Sequence, residues 1–218
     1  MFFCLCQGEE DDLRAADYYE MMYYLIDQWR SDWGDDRLAF LFVQLPMYAS
    51  REEAAAGQPV KNWCILRENQ YRASVSIANT GMAVIIDCGE FDNIHPLDKQ
   101  TVGYRLALQA LKKVYGKTIE AEGPLFSWVE PEGNTLRIHF DHAESGLESR
   151  GPLEGFEVAG SEEIYYPARA HIDGCDVVVQ SDKISEPQQV RYAWIKFGPT
   201  PLYAKNGLPA MPFRSCRK

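Results

Sequence analysis

The chain opens on an apolar, aromatic run without polar alternation, residues 2–6 (FFCLC), which predicts a short buried strand. Acidic residues follow at 9–12, suiting a helix start. Met22, Leu25, Ile26, Trp29 and Trp33 then recur at helical spacing and predict a helix over 13–33, stopped by Gly34. A second all-apolar run, 38–45 (LAFLFVQL), ends at Pro46 and predicts another strand. A shorter helix is expected over 63–73 and a third buried strand over 82–88 (MAVIIDC). Val102, Leu106, Ala110, Leu111 and Val114 line one side of a helix predicted over 97–115, with Gly116 beyond it. Strands without alternation, joined by long helices, indicate an α/β architecture: a parallel sheet with helices on both faces. From about residue 119 the texture changes. Short β-branched or aromatic runs at 135–140, 155–158, 164–170, 176–180 and 189–194 are separated by turns such as Glu132-Gly133-Asn134 and Asp173-Gly174, which predicts a small antiparallel β-sandwich. The expected domains are 1–118 and 119–218.

Three parallel strands are few for a doubly wound sheet, and the first begins at residue 2. A bare apolar parallel edge is an aggregation liability. The expectation is that the other half of this sheet comes from a segment outside the chain or from a partner chain.

Composition narrows the classes. With 46% hydrophobic, 12% aromatic and 25% charged residues the 218-residue chain is globular, and its net charge of −10, without any Lys/Arg run, disfavours nucleic acid and anionic membranes as partners. No apolar run approaches a membrane span, and residues 1–6 lack the length and basic flank of a signal peptide. The six cysteines lie at long intervals with no C-x-x-C, so a zinc ribbon has no support and buried free thiols are expected. Compartment cannot be read from them. No cofactor or metal is called for.

Ligands of open parallel sheets bind beyond the carboxyl ends of strands. Gln7-Gly8-Glu9 follows the first strand, and Asp92-Asn93-Ile94-His95-Pro96 follows the third. An acid three residues before a histidine can accept a hydrogen bond from Nδ1, fixing the tautomer and leaving Nε2 as a general base. The same pattern also suits a surface acid beside a helix-start histidine. Gln7 and Gly8 could face a developing oxyanion, or form an ordinary turn. His139, His142 and His171 read as structural or solvated. No G-x-S-x-G and no Gly-Asp-Ser-like turn follows a strand, so the chain offers no convincing nucleophile. Arg67 could face an anionic sugar, pair with Glu68 or be solvated.

Several of these segments resemble the sialate O-acetylesterase family of SGNH-type hydrolases. Gln7-Gly8-Glu9 is similar to its QGES block, Leu66-Arg67-Glu68-Asn69-Gln70 to its LREAQ segment, and Asn79-Thr80-Gly81-Met82-Ala83-Val84 to its NTGMAV strand entry. Asp92-x-x-His95-Pro96 resembles the catalytic block near the end of the hydrolase domain, and Arg105-Leu106-Ala107-Leu108 the helix after it. Val190-Arg191-Tyr192-Ala193-Trp194 and Gly207-Leu208-Pro209-Ala210 resemble the C-terminal region. The resemblance implies a partial SGNH, flavodoxin-like sheet and hydrolysis of O-acetyl esters of sialic acid or a related glycan. It makes His95 the general base, Asp92 its orienter, and Gln7, Gly8 and Glu9 part of the oxyanion and substrate region. The family's GQSN-like nucleophile block has no counterpart, and Glu10 and Asp11 replace its Ser and Asn. The chain alone is therefore expected to be inactive. The alternative is a non-catalytic glycan-binding or interaction module in which Trp128, Tyr165, Tyr166 or Trp194 stacks on sugar rings.

Overall fold

The computed structural model describes residues 1–56 and 61–216. They form two compact units: the described residues of Met1–Ala121 with Ile195–Phe197, and Glu122–Trp194 with the described residues from Gly198 onward.

The first unit contains β1 (Phe2–Leu5), α1 (Tyr18–Trp33), β2 (Ala39–Gln44), β3 (Tyr48–Ala49), α2 (Arg51–Ala56), α3 (Lys61–Ser76), β4 (Thr80–Val84), β5 (Glu90–Phe91) and α4 (Lys99–Gln109). Its main sheet has the order β1-β2-β4, all parallel. β2 is buried along its whole length because helices cover both of its faces. Alternation assigns those faces. Phe40 packs edge-on to Trp29 of α1 and Gln44 donates to the Arg67 carbonyl of α3, whereas Val43 clusters with Val102 and Leu106 of α4.

Several boundaries depart from the sequence reading. β1 is not buried: its residues are half-buried or exposed, and Cys4 and Cys6 are both exposed thiols. The cause is position, since β1 has a strand on one side only while α4 packs over β2 and β4. The first helix starts at Tyr18 rather than residue 13. Residues Glu9–Asp17 form a 3₁₀ run kinked at Arg14; within it Asp11 accepts from Gln7 and Arg14, and Asn69 donates to the Ala15 carbonyl. β4 ends at Val84, with a 3₁₀ turn over Ile86–Cys88. α4 spans Lys99–Gln109 and passes into a π turn, Ala110–Val114.

The second unit is antiparallel. Its strands are β6 (Leu125–Glu132), β7 (Thr135–Asp141), β8 (Leu147–Ser149), β9 (Phe156–Ala159), β10 (Tyr166–Pro167), β11 (Arg169–Asp173), β12 (Asp176–Gln180), β13 (Gln189–Tyr192), β14 (Leu202–Ala204) and β15 (Phe213–Arg214). They make two four-stranded sheets, β11-β12-β7-β6 and β10-β9-β13-β15, and the pair β14-β8. Alternate residues Leu136, Ile138, Val177 and Val179 of one sheet and Phe156, Val158, Val190 and Tyr192 of the other are fully buried. Phe213 of β15 stacks on Phe126 of β6 at 4.7 Å between ring centres.

Candidate functional site

Two loops leave the carboxyl ends of strands in the first unit. The loop after β1 carries Gln7, Gly8 and Glu9. The Tyr18 hydroxyl lies 2.9 Å from Gln7 Oε1 and the Gln70 amide nitrogen 3.3 Å from the Gln7 carbonyl. Gln7 Nε2 donates to Asp11, which also accepts from Arg14 at 2.7 Å. Part of the Gln7 amide is thus committed to Asp11. Gly8 has φ +133°, and a Cβ there would lie 3.2–3.3 Å from Gln70, Leu66 and Tyr18, so this turn requires glycine. Burial pushes the Tyr18 phenol up to about 12, so it serves as a neutral hydroxyl. Glu9 opens the 3₁₀ run. β1 and β4 both run parallel to β2, so the β1 exit and the loop leading from β4 to α4 leave the same end of the sheet.

The loop after β4 is held by distant partners. Asp87 forms a two-point ion pair with Arg105, Nη2 to Oδ2 at 2.8 Å, with side chains only 16% and 7% exposed; Arg105 also donates to the Val84 carbonyl. Gly89 passes so close to Met47 that a Cβ would sit 1.8 Å from its carbonyl oxygen. β5 then pairs in parallel with β3 from the loop after β2. Glu90 accepts from the Leu97 backbone at 2.6 Å, closing the loop on itself.

Asp92 has a left-handed φ of 57° and donates its backbone N–H to Ala49 at 3.1 Å. Its two carboxylate oxygens accept from Arg51, one from the backbone N–H and one from Nε, each at 2.8 Å. Among the described residues no hydrogen bond or ion pair joins Asp92 to His95, so the expected carboxylate–imidazole contact is absent from this structure. The competing donor is Arg51, whose backbone N–H and side chain converge on Asp92 across the β3–β5 pair. His95 is exposed, and its backbone N–H donates to Asn93 Oδ1 at 3.2 Å.

Arg67 faces neither solvent nor an acid. It is fully buried, and its guanidinium donates to the carbonyls of Leu45 (2.9 Å), Pro46 (2.6 Å), Ile195 (2.8 Å) and Lys196 (3.3 Å). Burial brings its pKa down to about 10. Lys196 Nζ pairs with Glu53 at 2.7 Å and lies over the Tyr48 and Trp63 rings, and Phe197 packs on Phe91 at 3.8 Å. Sequence reasoning missed Arg51, Lys196 and Phe197. Long-range pairings of this kind leave no periodic signal. In the second unit, His139 stacks on Trp128 at 3.9 Å, its Nδ1 is 3.0 Å from Asp176, and the Trp128 side remains 49% exposed. No group of three His, Cys, Asp or Glu among the described residues is placed to hold a metal ion, and no helix there is long and apolar enough to cross a membrane.

A parallel sheet with loops at its carboxyl ends, followed by antiparallel sheets, is the layout shared with a carbohydrate acetylesterase. The crystal structure of such an enzyme from Xanthomonas citri superposes with a TM-score of 0.87 at 37% identity, covering 97% of this chain and 49% of that one. Sialate O-acetylesterase of Mus musculus is 36% identical over 137 residues, 57% of this chain and 25% of that protein. The Homo sapiens sialate O-acetylesterase is 29% identical over 238 residues, 95% of this chain and 44% of that protein. No family model matches. The chain spans less than half the length of each of these relatives. Over nearly its whole length the chain is thus similar to sialate O-acetylesterase and to a carbohydrate acetylesterase.

Proposed function

We propose that the chain provides the histidine-bearing half of a carbohydrate esterase that removes O-acetyl groups from sialic acid or a related glycan. The carrying observation is the match to a carbohydrate acetylesterase over 97% of the chain. In this reading the first sheet is part of an SGNH-type arrangement and the two four-stranded sheets pack as a sandwich. His95 takes the proton of a serine hydroxyl as it attacks the acetyl carbonyl and returns it to the departing sugar alcohol. Water then repeats the cycle and releases acetate. Asp92 orients His95 after releasing Arg51. Gln7, Gly8 and Glu9 border the oxyanion. Glu9 and Glu10 oppose both an oxyanion and a sugar carboxylate at this loop, whereas Asp11 is paired with Arg14. The serine comes from a segment that also covers the open edge of β1, because no residue of this chain suits the role. The chain alone is then inactive.

Acetate release from O-acetylated sialic acid and from 4-nitrophenyl acetate tests this. The chain alone should give background rates. Mixing with a polypeptide carrying the serine-bearing part of a homologue should restore turnover, and His95→Ala should abolish it. Turnover by the chain alone, lost in His95→Ala, would place a nucleophile here and refute the division.

A second reading rests on Trp128, half exposed and backed by the His139 ring, a form suited to stacking on a sugar face. Glycan binding that vanishes in Trp128→Ala without any esterase activity in the mixture would favour a binding module.

A further inference from the structure

Ile195–Phe197 lies far along the chain yet packs within the first unit. Its contacts fall on the turn after β2, on α2 and α3, and on Phe91 of the loop after β4. The Lys196 carbonyl accepts from the Tyr48 backbone N–H at 3.0 Å, directly beside the β3–β5 pair. The Ile195 and Lys196 carbonyls share the Arg67 guanidinium with Leu45 and Pro46, the first residues beyond β2. Lys196 is only 8% exposed, and its ammonium is neutralised by Glu53 and faced by the Tyr48 and Trp63 rings. Phe197 rests on Phe91, whose neighbour Asp92 is the residue held by Arg51.

Phe197 touches the His95 loop directly at Phe91, and the Lys196–Tyr48 bond lies at the β3–β5 pair that carries it. A buried lysine satisfied by one carboxylate and two ring faces is costly to assemble and is tolerated where all partners are fixed. Within itself the loop from Glu90 to Pro96 is tied by Glu90 to Leu97 and Asn93. From outside it is held by the β3–β5 pair, Ala49, Arg51 and Phe197, and the segment 195–197 supports this set through Tyr48 and Phe91.

We infer that Ile195–Phe197 is a strap that positions the His95 loop, with Lys196 and Phe197 as positioning residues acting through Glu53, Tyr48 and Phe91. The functional importance of that placement rests on His95 being the general base. The strap supplies two of the four carbonyls that satisfy the buried Arg67 guanidinium, and Arg67 in turn ties the turn after β2 to α3.

Hydrogen exchange read by mass spectrometry on the full chain tests the strap without any need for turnover. Phe197→Ala and Lys196→Met should raise exchange of the segment 90–95 by about tenfold or more, while β2 and β4 keep their protection. Lys196→Arg, which retains the charge for Glu53 and the ring faces, and the milder Phe197→Leu should stay near the parent. Unchanged exchange at 90–95 in Phe197→Ala or Lys196→Met would overturn the strap. So would an equal rise across β2 and β4, which would make the segment ordinary core. In the reconstituted esterase, Phe197→Ala should lower kcat with KM little changed. If the loop loosens as stated but His95→Ala leaves hydrolysis intact, the strap stands and the reading of His95 as base fails. If hydrolysis depends on His95 while exchange is unmoved, the reverse holds.

Discussion

The two loops at the sheet end are built in opposite ways. The loop after β1 is secured mostly by residues close in sequence, Asp11, Arg14 and Tyr18, with Gln70 as the distant partner. The loop after β4 is secured almost wholly from afar: Met47, Arg51, Arg105 and Phe197. A locally held loop withstands single changes nearby, whereas a remotely braced one concentrates its stability in a few distant contacts. Substitutions should separate the two.

The largest effect is expected from Arg67→Met. It strands several buried carbonyls at once and should cost about 3–5 kcal/mol, read as a lowered midpoint of urea unfolding. Gly89→Ala comes next. A methyl group 1.8 Å from the Met47 oxygen forces the loops after β2 and β4 apart, at a cost of about 3 kcal/mol. Tyr18→Phe removes one hydroxyl from the loop after β1 and should cost about 1 kcal/mol in the same assay, leaving exchange at 90–95 unchanged.

A smaller, pH-dependent effect should mark the braced loop. Hydrogen bonds from Lys196 and Ser50 hold the Glu53 carboxyl below the usual carboxylate range. A depressed folded-state pKa means stability that is present above the unfolded value and lost as pH falls through the folded one. Glu53→Gln should thus be less stable than the parent near neutral pH and approach it as acidification carries the parent below the usual carboxylate range. The difference in melting temperature between the two proteins against pH checks this. A constant gap would remove Glu53 from the brace.

The same contrast explains what the residues alone conveyed. The run 38–45 signals a central parallel strand, because only a strand covered on both faces needs apolar side chains at every position. Residues 2–6 carry the same signature, yet Cys4 and Cys6 are exposed, because a strand at a sheet edge and one at its centre can share a pattern. The Asp92–His95 spacing pointed to a loop at the right end of the sheet. It could not reveal Arg51, which reaches Asp92 across the β3–β5 pair. For Arg67 the sequence suggests a sugar, Glu68 or solvent, whereas the guanidinium is satisfied by four backbone carbonyls, partners that leave no mark in a sequence. Three residues, Ile-Lys-Phe at 195–197, are too few to carry any periodicity.

The proposed function requires the imidazole of His95 to act on an acetyl ester. Its most direct test is acetate release from an O-acetylated sialoside by the chain mixed with a serine-bearing half, comparing the parent with His95→Ala. The variant should bind its complement equally well and lose at least about a thousandfold in kcat/KM. Equal rates in the two mixtures would contradict His95 as the general base.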